Sequence, residues 1–379
     1  MNQAPADTGE AGAAGGEAGW RALERLLAAG FERIEPSILQ PASVFLDMSG
    51  EDIRGRLYLT SDAEGAELCL RPDYTIPVCL TYLASPQKGR EAQYCYLGPV
   101  FRARAGQSGE ARQSGLESYG RTDAEAADAE IFATAMEAAH AGGAGRLDVR
   151  LGDAHLFDAV LHALDLPDAW LRRLRRGLAR GRSLDAILNE GGAGGQSGVL
   201  AALERADHDG AKALVEDLLA IAGIATVGGR SAGEIADRFL DQAALRSGPA
   251  AASEKRAVLQ RFLDIADEPD AASGRLRKLA EEARLDIGRA LDSLDQRIGF
   301  LAARGMPVED YTFSAAFVRD LDYYTGFVFE AVAAGRTDGR PTVGGGRYDG
   351  LARRLGASAD IPAVGAAIWI DRLRPGATL

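Results

Sequence analysis

Leu23, Leu26 and Leu27 recur at helical spacing in "WRALERLLAAGFERIEPS", and Gly30 ends that run before a short extended stretch. From 66 to 120 the texture is strand-like, with Cys, Tyr, Val and Phe in runs punctuated by Gly and Pro: "ELCLRPDYTIPVCL", "AQYCYLGPVFRAR", "RQSGLESYG". Residues 123–141 open with an acid, are rich in Ala and set Ile131, Ala135 and Met136 on one face, which predicts a helix with a favourable acidic first turn. "RLDVRLGD" then alternates as a strand. Between about 155 and 305 Leu, Ala, Arg, Asp and Glu dominate and strand signals vanish, while Gly-rich breaks at 191–198 and 227–233 divide helical stretches. Leu291, Leu294, Ile298 and Leu301 repeat there with helical period. Extended texture returns at 312–345, followed by a closing helical segment. The pattern predicts an α+β chain with one domain over 19–154 and 306–379, a helical insertion at 155–305 and a disordered leader at 1–18. No repeat of fixed period is visible.

Composition narrows the classes of function. A chain of 379 residues can hold one large domain with an insertion, or two domains. Its formal charge of -12, from 43 basic and 55 acidic residues, argues against nucleic-acid binding as the main task. Cys69, Cys79 and Cys95 are odd in number, sit in apolar surroundings and lack CxxC spacing, so reduced core thiols in the cytoplasm are expected rather than disulfides or zinc. No apolar run reaches the length of a membrane span, and the first residues lack the basic and apolar parts of a signal peptide. His155, His162 and His208 are scattered through the helical block without ligand spacing.

The stretch "VRDLDYYTGFVFE", 318–330, carries the first candidate chemistry. Read as a strand, it sends Tyr323 and Tyr324 to opposite faces, so one hydroxyl can enter a pocket. Arg319 near an acidic and phenolic floor suits a zwitterion, with guanidinium for carboxylate and oxygens for ammonium. "GGG" at 344–346 permits close backbone approach and lacks the spacing and Lys of a phosphate loop.

Six segments then occur in order: "LRPDYT" (70–75), "GPVFRAR" (98–104), "RQSGLESYG" (112–120), "VRDLDYYTGFVFE", "VGGGRYDGL" (343–351) and "AVGAAIWIDRL" (363–373). Together they resemble the catalytic domain of histidyl-tRNA synthetase, over roughly 20–155 and 310–373. The resemblance implies a class II aminoacyl-tRNA synthetase-like antiparallel sheet flanked by helices, dimeric through the 31–60 region and sheet-edge strands, with the helical block as the family's insertion. Carried over by position, it implies that Arg319 faces the carboxylate of histidine and that Tyr324 and Tyr348 line the imidazole site. Asp73, standing where the family has Glu, would meet the ammonium group with Thr75, and Gln113 and Glu117 would complete the pocket. Arg102 and Arg372 match arginines of the second and third synthetase motifs.

The departures from the synthetase point away from catalysis. The acid two residues after the second-motif arginine is Arg104 here, and the loop from there to Glu117 looks about three residues shorter. Where the third motif has a glycine that makes room for adenine, this chain has Trp369, whose indole fills a comparable volume. Only residues 373–379 follow the motif, so a tRNA-reading domain is expected to be absent. Among its relatives the chain most resembles the regulatory subunits of ATP phosphoribosyltransferase. That resemblance implies a non-catalytic, cofactor-free homodimer that binds free L-histidine. Its partner would be a short-form ATP phosphoribosyltransferase catalytic subunit, with neither nucleic acid nor membrane involved. Two enzymatic readings stay open: a histidyl-tRNA synthetase core served by a separate anticodon-binding chain, and a synthetase-like ligase. Both need ATP, which Trp369 opposes.

Overall fold

The structure, a computed structural model, describes residues 9–49, 51–103, 106, 108–166, 168–179, 181–189, 253–317 and 323–373. Along the chain come α1 (Gly9–Ala28), β1 (Glu32–Arg33), β2 (Leu39–Pro41), α2 (Ala42–Ser49), β3 (Leu59–Ser61), β4 (Glu67–Leu70) and α3 (Thr75–Ala84). Then follow β5 (Ala92–Phe101), β6 (Glu110–Tyr119), α4 (Ala124–Ala141), β7 (Leu147–Asp153), α5 (Ala154–Ala163), α6 (Asp168–Ala179), α7 (Leu184–Asn189) and α8 (Ser253–Leu263). The described elements close with β8 (Ala266–Asp267), α9 (Pro269–Ala283), α10 (Gly288–Ala303), β9 (Thr312–Ser314), β10 (Phe327–Ala333), β11 (Val343–Arg347), α11 (Leu351–Arg354) and β12 (Ala363–Trp369).

Nine strands form one sheet in the order β1-β5-β6-β12-β11-β10-β7-β9-β8, and β2-β4-β3 form a small second sheet. The central ladders from β5 to β7 are antiparallel, while β1 joins β5 and β9 joins β7 in parallel. Helices α1, α4 and α10 pack together, with α1 and α4 against the sheet. Alanine makes up much of α4, whose Ala127, Ala129, Ala135, Ala138 and Ala139 are buried, so the helix can lie close on β6, β11 and β12. The opposite face of β5 and β6 packs against α3 through tyrosines: Tyr74 stacks on Tyr96 at 4.1 Å and Tyr82 on Tyr119 at 4.4 Å between centroids.

The chain divides into two compact units, 1–156 with 265–277 and 288–379, and 157–264 with 278–287. The first holds the sheets. The second is helical where described: Phe157 packs against Phe262, and Gly177 of α6 lies so close to Ile187 of α7 that a Cβ there would sit 2.4 Å from it. Residues 190–252 of the expected insertion, with its glycine breaks and His208, lie outside the described residues.

Several expectations need correction. The leader expected to be disordered is helical from Gly9, and the helix is anchored where Ala18 is buried and Gly19 abuts Leu97 and Ile370. Residues 75–84, part of a strand-like run, form α3: Pro77 sits in the first turn where no N–H is needed, and Asp73 accepts the Ile76 N–H at 3.3 Å. Residues 265–277 and 288–305, counted with the insertion, belong to the sheet-bearing unit. The closing segment is mainly the strand β12, whose small residues Gly365 and Ala366 conceal its strand character while letting other groups approach. Tyr323 and Tyr324 lie in the turn before β10 rather than on a strand, with ring centroids 4.8 Å apart.

Candidate ligand pocket

Period-two alternation puts Gln113, Gly115, Glu117 and Tyr119 of β6 on one face of the sheet, the face covered by α3. The partner strand continues that face, because Gly365 pairs with Glu117 and Trp369 with Gln113. Glu117 is fully buried and meets three hydroxyls. Thr75 Oγ1, at the start of α3, lies 2.9 Å from its Oε1, Tyr96 OH lies 3.3 Å from the same oxygen, and Tyr348 OH bonds to Oε2. Glycine at 365 makes room for this carboxylate, since a Cβ there would fall 1.6 Å from Glu117 Oε2 and 2.8 Å from Tyr348 OH. No arginine or lysine among the described residues forms an ion pair with Glu117. Burial therefore pushes its carboxyl up to about 8, against the pull of the Tyr348 and Thr75 hydrogen bonds.

Two more acceptors share the wall. Asp73, nearly buried, has its carboxyl raised by desolvation while the nearby Arg102 opposes the shift. Gln113 Oε1 is buried without a hydrogen-bond partner, the kind of orphan a ligand N–H satisfies. Tyr324 is half-buried, 6.5 Å from Tyr348 between centroids and edge-on to it. The structure thus joins Thr75, Glu117 and Tyr348 in direct contact, with Asp73, Gln113 and Tyr324 around them. Arg319 and Arg104 lie outside the described residues. Tyr96 was missed by sequence reading, although its place on β5 opposite Gly115 follows from the same alternation that marks Glu117.

Beside these acceptors lies Trp369, paired with Gln113 across β12 and β6 and buried. The guanidinium carbon of Arg102 lies 5.1 Å from the indole centroid and that of Arg372 lies 4.1 Å away. Both arginines are also tied to backbone carbonyls, Arg102 Nε to Pro72 at 2.7 Å and Arg372 Nη1 to Pro341 at 2.7 Å. Among the described residues no cluster of His, Cys, Asp and Glu could hold a metal ion, and no helix is long and apolar enough to cross a membrane. A cleft of about 770 Å³ elsewhere in this unit is lined by Glu32, Tyr94, Arg121 and Glu130 among others, and none of the residues above borders it.

An antiparallel core, a polar floor on β6 and a glycine-rich β11 define a chain built like a class II histidyl-tRNA synthetase. The sequence profile of the histidyl-tRNA synthetase family matches residues 13–227 and 210–373. A solved structure described as an ATP phosphoribosyltransferase regulatory subunit/histidyl-tRNA synthetase from Bacillus halodurans superposes with a TM-score of 0.67 at 22% identity, covering 98% of this chain and 82% of that one. A histidyl-tRNA synthetase from Nostoc gives 0.61 at 18% identity, with 98% and 75% covered. At those identities the likeness speaks for the fold. Closer relatives are the ATP phosphoribosyltransferase regulatory subunits of Mesorhizobium japonicum, 43% identical over 90% of this chain and 92% of that protein, and of Brucella anthropi, 38% identical over 90% and 92%. The chain belongs to this family of ATP phosphoribosyltransferase regulatory subunits.

Proposed function

We propose that the chain regulates a short ATP phosphoribosyltransferase catalytic subunit, at the entry to histidine biosynthesis, by binding free L-histidine in the pocket around Glu117. The observation that carries this reading is a buried set of acceptors, with Gln113 Oε1 unpartnered, beside the buried Trp369. Asp73, Gln113 and Glu117 offer oxygens to an ammonium group and an imidazole N–H, and Tyr324 and Tyr348 offer ring faces. Next to them Trp369, under two guanidiniums, fills the space a base would need. Arg319, in the "VRDLDYYTG" segment, is proposed as the carboxylate partner. Binding of this kind controls an enzyme only if histidine favours one assembly over another.

The proposal includes a homodimer and a cytoplasmic setting. Exposed Ile38, Leu39, Tyr58 and Leu59 lie on and beside β2 and β3, in the 31–60 region proposed to contact a second copy. Three free, buried cysteines suit a reducing compartment. The test is to mix the purified chain with a short catalytic subunit and follow phosphoribosyl transfer with and without histidine. A catalytic rate indifferent to the chain sinks the regulatory reading. The retained Arg102 and Arg372 favour one competing reading, a synthetase core, and histidine-dependent exchange of pyrophosphate into ATP would decide for it.

A further inference from the structure

A buried ionic hub lies behind the pocket. Asp128 of α4, wholly buried, receives Arg297 Nε on Oδ2 at 2.9 Å and Arg347 on Oδ1, with Nε at 2.9 Å and Nη2 at 2.7 Å. Arg297 of α10 also reaches Asp153, at the end of β7, at 2.8 Å and Ser293 at 3.2 Å. Arg347, the last residue of β11, reaches Ala124 O at 2.9 Å and Asp349 Oδ1 at 2.9 Å. Burying two arginines and two aspartates costs desolvation that their mutual pairing roughly offsets, so net stability is a weak reason for such a cluster. Geometry is a better one.

Tyr348 sits in the chain between two members of this network, and each also holds a neighbouring wall. Arg347 O accepts the Thr325 N–H at 2.8 Å, next to Tyr324. Asp349 N donates to Thr325 Oγ1 at 3.0 Å, and Asp349 Oδ1 accepts the Ala363 N–H at 2.8 Å, two residues before the Gly365 notch. The Arg347 stem fills the space beside Gly326, where a Cβ would meet its Cδ at 3.3 Å. The turn carrying Tyr324 and the start of β12 are therefore held by the Arg347 backbone and by Asp349, whose carboxylate the Arg347 guanidinium braces.

We infer that Arg347, braced by Asp128 and Asp349, is the positioning residue of the ligand pocket, setting where Tyr348 and Tyr324 stand relative to Glu117. This rests on the ligand reading above only for its binding readout. Arg297 serves as an internal comparison: it pairs with the same buried Asp128, but its other polar partners are Asp153 and Ser293 rather than Asp349. A purely structural hub would make the two arginines equivalent for the pocket.

Lysine at either position keeps a positive charge beside Asp128 and removes the fork. In the full-length protein, Arg347→Lys should weaken L-histidine binding by about tenfold or more in calorimetry, the equivalent of one misplaced polar contact. It should also shift the carboxyl ¹³C resonance of Glu117, assigned with Glu117→Gln in ligand-free protein. Arg297→Lys should lower the melting temperature by a similar amount, yet leave both affinity and resonance as in the parent. Asp349→Ala, at a part-exposed site, should repeat the Arg347→Lys effects in miniature and replaces it if that variant does not fold. An unmoved Glu117 resonance in Arg347→Lys, or an equal loss of affinity in Arg297→Lys, overturns the inference. If the parent protein takes no histidine at any concentration, the ligand reading falls and the Glu117 resonance alone decides the positioning role.

Discussion

The Arg372 guanidinium lies 4.1 Å from the centre of the Trp369 indole, and Arg102 approaches the same ring at 5.1 Å. Two arginines that match synthetase motifs by resemblance are thus engaged with a side chain of the protein itself. A cation over a desolvated indole is worth up to about 2 kcal/mol. Displacing the indole would also expose a large apolar surface.

The first prediction follows from that contact. The chain alone should show no histidine-dependent pyrophosphate exchange into ATP and no charging of tRNA. Trp369→Gly should not restore either activity, because the resemblance also implies a lost acid at Arg104 and a shorter loop after it. Instead the variant should lose about 3–5 kcal/mol of stability, the usual cost of deleting a buried indole, read from denaturant unfolding. Exchange above background in either protein would return the synthetase reading.

A second prediction concerns pH. The folded carboxyl of Glu117 is raised from 4.5 to about 8, so the native state holds a proton that the unfolded chain gives up near 4.5. Its contribution to stability is therefore fully present below about pH 4.5 and is lost as pH rises through about 8. Glu117→Gln mimics the protonated form and should flatten that part of the slope. Melting temperatures of both proteins between pH 5 and 9 give the difference, and parallel curves would contradict the protonated state of Glu117.

The third prediction tests the glycine notch. Gly365→Ala places a methyl group 1.6 Å from Glu117 Oε2, and both β12 and Tyr348 are too tightly held to yield freely. Stability should fall by about 1–3 kcal/mol, as for other overpacked cores, and histidine binding should be lost. Gly350→Ala, where a Cβ meets nothing closer than 3.9 Å, should bind as the parent does. Calorimetry on the pair checks both statements.

Much of this architecture could be read from the residues, and the parts that could not have a common cause. The resemblance brings Gln113 and Glu117 to one site, and the structure sets both on one face of β6. The acid-led, Ala-rich run identifies α4 to within a residue, and helical period marks Leu291, Leu294, Ile298 and Leu301, all buried, as one face of α10. What escaped were pairings between distant positions: Asp128 lies 169 residues from Arg297 and 219 from Arg347, and no spacing rule connects them. The strand β12 escaped because its glycine and alanines are chosen to admit Glu117 and β11, overriding β-propensity. Helix α3 was misread for the converse reason, as Thr75, Ile76, Val78 and Cys79 are residues common in strands, buried here on a helix by the tertiary fold.

The final prediction joins pocket to regulation. A buried set of acceptors beside a buried indole makes sense if binding itself is the output. A pathway end product acting away from the reaction inhibits only by favouring a less active assembly, with a coupling of about 1–3 kcal/mol. Mixed with a short phosphoribosyltransferase subunit, the chain should raise the rate of phosphoribosyl transfer, and histidine should lower it again. Arg319→Ala should cost more than about 2 kcal/mol of histidine binding, because a charge-assisted contact is lost and the ligand carboxylate is left without its partner. In the mixed assay that variant should activate normally while its inhibition curve moves to at least about thirtyfold higher histidine, the same free energy expressed as concentration. Activation without any shift in inhibition would keep the partner and place the histidine sensor outside this pocket. No activation at all would remove the partner.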